Sequence, residues 1–131
     1  MNQFVNISPQ HICHTLHTVP ASPPNNVTAI SISSTTTRVT WEEVPAINQS
    51  GIITQYEVEY NQSTFSGATM YNTTTVNSPT LMVDLTGLEE YVEYSIRVRA
   101  YTSVGAGPYS DVVMERTQQD GSYVTYPYMY T

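Results

Sequence analysis

The chain is predicted to fold as an all-β sandwich or barrel, and three observations carry that expectation. Between residues 94 and 101, Tyr94, Ile96, Val98 and Ala100 alternate with Ser95, Arg97, Arg99 and Tyr101. A period of two in β-branched and aromatic residues marks a strand with one buried and one wet face. A helix would scatter the same residues around its circumference. About seven such short stretches, separated by turn residues, fill positions 24–117, which is the spacing of an all-β domain. No stretch carries a helical period long enough to form an element. At 131 residues, the chain suits one domain of ordinary size plus tails.

The elements follow in order. Residues 1–20 are polar and aperiodic and end at Pro20; they are expected to form a disordered N-terminal tail ahead of a domain at 21–117. A signal peptide is not expected there, because the start lacks positive charge and an apolar core of ~7–15 residues. Pro23 and Pro24 remove hydrogen-bond donors just before a first strand at 27–32, which blunts its edge. The second strand, 37–44, turns Val39 and Trp41 inward and ends wet at Glu42 and Glu43. Trp41 is the only tryptophan, and at the end of an alternating strand it reads as a core anchor.

After a loop at 45–51, the third strand, 52–61, alternates Tyr56, Val58 and Tyr60 with Gln55, Glu57 and Glu59. The polar stretch 62–78 turns at Gly67 and is expected to hold a short edge strand at 69–75. Residues 80–85 turn Leu81, Val83 and Leu85 inward. Thr86, Gly87 and Leu88 form a corner leading into the 94–101 strand, and Leu88 precedes Tyr94 by six positions. A tyrosine at a strand entrance buries its ring and returns its hydroxyl to the backbone of the corner before it. Val104, Gly105, Ala106, Gly107 and Pro108 make a tight turn into a last strand at 109–117. Residues 118–131 form a Tyr-rich C-terminal tail, with Tyr123, Tyr126, Tyr128 and Tyr130 around Pro127.

Charge excludes several classes of partner. Eleven acidic residues stand against four arginines and no lysine, a net charge of −7. Nucleic acid needs clustered cations, and so does an anionic membrane surface. No apolar run approaches the ~18 residues of a membrane-spanning helix. A basic partner or a divalent cation stays compatible with the acidity. The single Cys13 rules out an internal disulfide.

No catalytic constellation is present, so neither an enzyme nor a cofactor is expected. His11, Cys13, His14 and His17 fall within seven residues, and His14 and His17 would share a face if that segment were helical. Their spacing matches no finger or ribbon pattern and lacks the Cys-x-x-Cys-His of haem attachment, so no metal site is assigned. Gly105-x-Gly107 lies between strands rather than between a strand and a helix, and so does not form a phosphate loop. Glu42-Glu43 and Glu89-Glu90 are neighbours at a strand end and a turn, where carboxylates are simply solvated.

Taken together, Pro23-Pro24, Trp41, Gly51 ahead of Tyr56-x-Val58-x-Tyr60, Leu88 with Tyr94, Val98-x-Ala100 and Gly105-x-Gly107-Pro108-x-Ser110 resemble the fibronectin type III family. The resemblance covers about residues 24–117; Glu90 departs from it, where the family often has proline. It implies a seven-stranded immunoglobulin-like Greek-key sandwich. The first, second and fifth strands would form one sheet, and the fourth, third, sixth and seventh the other. Glu57 and Glu59 would then face Arg97 and Arg99 across neighbouring strands, each pair contributing ~0.2–1 kcal/mol at most. This charged face sets register and solubility, with partner docking as the alternative. The Arg-Gly-Asp of integrin-binding members is not carried over, since the corresponding turn reads Ser103-Val104-Gly105-Ala106-Gly107. The Trp-Ser-x-Trp-Ser of cytokine receptors is replaced by Pro108-Tyr109-Ser110-Asp111.

Asn-x-Ser/Thr occurs at Asn6, Asn26, Asn48, Asn61 and Asn72. Composition alone would give about two such sites, so the excess points to an extracellular or cell-surface location as part of a longer chain. Asn26, Asn48, Asn61 and Asn72 are the glycosylation candidates within the domain. The expected function is a non-enzymatic protein-interaction or spacer module of a receptor or adhesion protein. It would be monomeric and flanked by neighbouring repeats, with Ile47 and Val104 at loop tips as candidate protein contacts. The alternatives are an intracellular structural repeat of a filament-type protein and an accessory spacer of a multidomain enzyme.

Overall fold

The computed structural model describes residues 17–63 and 71–120. Seven strands, β1 (Asn25–Ser31), β2 (Thr37–Glu42), β3 (Gln55–Gln62), β4 (Asn72–Asn77), β5 (Met82–Leu85), β6 (Glu93–Tyr101) and β7 (Val113–Arg116), form two antiparallel sheets. One sheet has the order β1-β2-β5 and the other β4-β3-β6-β7, the partition expected from the sequence. The alternation that defined β6 is the burial pattern itself. Tyr94, Ile96, Val98 and Ala100 are buried and the residues between them are half-exposed. Those four pack with Val39, Trp41, Tyr56, Val58, Leu85 and Leu88 in one core between the sheets. Trp41 and Tyr56 meet as a tilted ring pair with centroids 5.4 Å apart, the geometry that aromatic quadrupoles favour.

At the corner before β6, the Glu89 N–H donates to the Tyr94 hydroxyl at 3.0 Å. Gly87 takes φ +69°, a left-handed conformation that a side chain would strain. Leu88 is buried just beyond it. The strand ends differ from the sequence expectation for local reasons. The second strand stops at Glu42, and Val44 and Ile53 enter the core from the following loop. That loop contains a single 3-10 turn, Ala46–Asn48. Regular pairing of the last strand starts at Val113 rather than 109, because the Val98 N–H donates to the Ser110 hydroxyl at 3.0 Å instead of a backbone carbonyl.

The domain has two distinct poles. At one, residues before β1 lie against the β2–β3 and β6–β7 loops. The Thr18 N–H donates to the Ser50 carbonyl at 2.9 Å and the Ala21 N–H to the Asn48 carbonyl at 2.8 Å. The Thr102 hydroxyl donates to the Thr18 carbonyl at 2.7 Å. Pro20 is buried there. Thr18 and Pro20, which the sequence reading placed in the tail, are thus packed against the domain. At the other pole, the Gln118 N–H donates to the Ser33 carbonyl and accepts, through its own carbonyl, the Tyr91 N–H. Asn6, His11, Cys13, His14 and Tyr123, Tyr126, Tyr128 and Tyr130 lie outside the described residues.

Candidate interaction site

Three surfaces carry chemistry: the outer face of β3–β6, the loops at the N-terminal pole, and the sequon asparagines. On the first, β3 and β6 pair with Glu57 opposite Arg99 and Glu59 opposite Arg97. Arg99 Nε lies 2.6 Å from Glu57 Oε1, and Arg97 Nε lies 2.5 Å from Glu59 Oε1. Tyr109, just past the β6–β7 turn, lies across both pairs. Its ring centre is 4.0 Å from the Arg97 guanidinium and 4.3 Å from that of Arg99. Its hydroxyl donates to Glu57 Oε1 at 3.1 Å. Tyr101 donates to the same oxygen at 3.2 Å. Burial, and then the bond to Glu57, push the Tyr109 hydroxyl up to about 12. Burial works against the Arg99 charge, but the hydrogen bond and charge of Glu57 outweigh it and raise its pKa.

Both guanidinia are therefore paired with carboxylates and stacked on tyrosines. The arrangement ties the β6–β7 turn across two strands and opposes a slip in register. Elsewhere Arg38 pairs with Asp84 at 2.8 Å, and Arg116 donates to the Tyr91 carbonyl at 3.0 Å. Sequence reading anticipated the charge pairs through the strand order that the family resemblance implies. It missed Tyr109, which was read only as a strand residue; a tyrosine directly after the turn proline was the available signal.

At the N-terminal pole, Ile47 is 90% exposed and Val104 57% exposed. Ile52 and Val19 share that pole and are also exposed. These two were not singled out in the sequence, because the packing of the leading segment against the loops is a tertiary fact. Trp41, Tyr56, Leu88 and Tyr94 all lie in the core, away from any surface site.

The sequon asparagines are dispersed. Asn26 is exposed in β1 with φ +49°, and Asn72 is exposed at the start of β4. Asn48 is half-buried in the 3-10 turn, and Asn61 is half-buried in β3. An open groove of about 520 Å³ beside Asn61 and Asn72 is lined by Tyr60, Leu88, Glu89 and Tyr94. Among the described residues no group of three potential metal ligands comes together.

A family model for the fibronectin type III domain matches residues 22–116. The chain belongs to the fibronectin type III family. This fibronectin type III domain is 40% identical over 106 residues to receptor-type tyrosine-protein phosphatase F of Bos taurus. It is 40% identical over 107 residues to protein sidekick-1 of Gallus gallus and 37% identical over 108 residues to the cell adhesion molecule DSCAML1 of Gallus gallus. Each match covers 81% of the chain but only 5–6% of the relative. Among solved structures, the FN5 domain of Drosophila Lar superposes with TM-score 0.64 at 26% identity, covering 78% of the chain and all of that domain. The third fibronectin III domain of the human KIAA0343 protein superposes with TM-score 0.70 at 24% identity, covering 82% and 90%. The phosphatase matches therefore concern the fibronectin type III region and not the whole receptor.

Proposed function

We propose that the domain is a non-enzymatic, extracellular interaction or spacer module of a cell-surface receptor or adhesion protein, flanked by neighbouring repeats and occupied by N-glycans. The observation that carries this reading is the similarity to receptor phosphatase F, sidekick-1 and DSCAML1 over one fibronectin type III unit. The two poles add support. The chain enters against the β2–β3 and β6–β7 loops and leaves beside Ser33 and Tyr91 at the other end, as a spacer in a linear array requires. Contacts with a partner fall on Ile47 and Val104, which stand exposed on loops of a rigid scaffold. No helix among the described residues is long and apolar enough to cross a membrane.

The test is secretion of the chain from a eukaryotic cell behind a signal sequence, with intact mass read before and after glycosidase. A mass drop with Asn26, Asn48, Asn61 or Asn72 converted to Asp supports the outside location. A folded, well-secreted product with no glycan at any of the four removes that support and favours an intracellular structural repeat.

A further inference from the structure

β1 is irregular at one place. Asn25 pairs with Glu42 and Thr28 with Thr40, so β1 spends one residue more than β2 between the two pairs. This is a β-bulge, and a bulge re-aims a side chain out of the regular alternation. Within it Asn26 takes φ +49°, a left-handed conformation that asparagine tolerates better than most residues with a side chain. Asn26 is exposed, and it lines a groove of about 340 Å³ between the start of β1 and the segment leading into β7.

Pro24, Val27, Tyr109 and Val113 give the groove apolar walls, and Asn25 and Asp111 give it polar ones. Pro24 is buried, and Val27, Tyr109 and Val113 are half-buried, so the apolar walls are held by the fold. Asn25 and Asp111 are exposed. The size lies at the lower end of the ~300–1,000 Å³ of small-molecule sites, enough for one sugar ring. A mostly apolar cleft with a few polar groups suits such a ring. The C–H face of a pyranose packs on proline, valine and tyrosine, while its hydroxyls and acetamide seek an amide and a carboxylate. Asn26-Val27-Thr28 is a sequon, so the atom to which a sugar would be joined is itself part of the wall.

We propose that this groove is the seat of an N-glycan carried by Asn26: the first N-acetylglucosamine lies in it and ties the start of β1 to the segment before β7. The proposal rests on the extracellular reading above and gives one sugar a fixed place within it. In the transfer, Asn26 Nδ2 forms a bond to the anomeric carbon of a lipid-diphosphate-linked oligosaccharide. The lipid diphosphate leaves with the electron pair of the broken C–O bond, and one amide proton passes to water. The sequon hydroxyl of Thr28 lies 2.6 Å from that of Thr40 in the finished sheet, so the transfer precedes the pairing of β1 with β2. At its far end β1 is already held to β7, where the Glu115 carboxylate accepts the Ser31 N–H at 2.7 Å. The sugar supplies the corresponding tie at the near end, and its lack of charge adds nothing to the net −7 of the chain.

The experiment compares the full chain with its Asn26→Gly variant, which removes the sequon and suits the left-handed backbone. Each is made in bacteria, and each is secreted from a eukaryotic cell that builds only high-mannose glycans. Endoglycosidase then trims the secreted pair to one N-acetylglucosamine per occupied site. Occupancy is read by peptide mass, and urea midpoints by the fluorescence of Trp41. The secreted chain is expected to exceed its variant in midpoint by more than the bacterial chain exceeds its own. Hydrogen exchange at the amides of 25–28 and 110–113 is expected to slow only where Asn26 carries the sugar. Equal midpoint differences in the two pairs, or exchange at those amides unchanged by the sugar, overturn the seat. Asn26 bare while Asn48, Asn61 or Asn72 is occupied overturns the proposal and leaves the extracellular reading standing. No sugar at any of the four overturns the proposal and removes the support for that reading.

Discussion

Two tyrosine hydroxyls do different work at similar distances. Tyr94 accepts the Glu89 N–H from inside the core margin, so Tyr94→Phe leaves a half-enclosed amide without its partner. The expected loss is about 1–3 kcal/mol, read from urea unfolding. Tyr109 donates outward to a carboxylate, and its effect appears in pH dependence. Its hydroxyl is raised from an ordinary 10 to about 12, by burial first and the Glu57 bond next. Below the lower value both folded and unfolded chains keep the proton. Between the two, the unfolded chain releases a proton that the folded chain holds, so stability falls as pH rises through that window. Tyr56 is also raised, by burial and then by Glu43, and adds to the fall. The urea midpoint should drop between about pH 10 and pH 12, and Tyr109→Phe should make the drop shallower.

Among the elements, β6 is the one whose loss costs most, because its inner face is buried along its whole length. Ile96 is fully buried, so Ile96→Ala is expected to destabilise by about 2–5 kcal/mol in chemical denaturation. Across its outer face, a double-mutant cycle on Glu57 and Arg99 should return a coupling of about 1 kcal/mol or less, since the pair is partly wet. This element was legible in the sequence because alternation, branching and the Leu88–Tyr94 spacing all point the same way. The topology was legible too, through the resemblance those residues carry. Val44 and Ile53 were not, because both reach the core from loop backbone where no period exists to read. The start of β7 was misplaced because the Ser110 side chain replaces one ladder bond, and a hydroxyl taking a carbonyl's place leaves no mark on hydrophobic alternation. Tyr109 was missed for a related reason: its meaning lies in its contacts with two arginines on another strand.

For the molecule as a whole, the leading segment is part of the folded unit. A Cβ added at Gly107 would sit 2.8 Å from the Cβ and carbonyl oxygen of Pro20, so Gly107→Ala must push that segment off the loops. Faster hydrogen exchange at the Thr18 and Ala21 amides, with the β6 amides unchanged, is the expected signature. The same directionality has a mechanical consequence. β1 and β7 both run away from the N-terminal pole and lie side by side, and they are joined where Glu115 and Gln118 bind the Ser31 backbone at 2.7 and 2.9 Å. Tension between the two ends of the chain therefore loads that seam lengthwise. Its bonds stretch together rather than opening in sequence, and a pulled array of such units would resist until the seam sheared. Weakening it by Glu115→Ala should lower the rupture force in single-molecule stretching more than it lowers equilibrium stability.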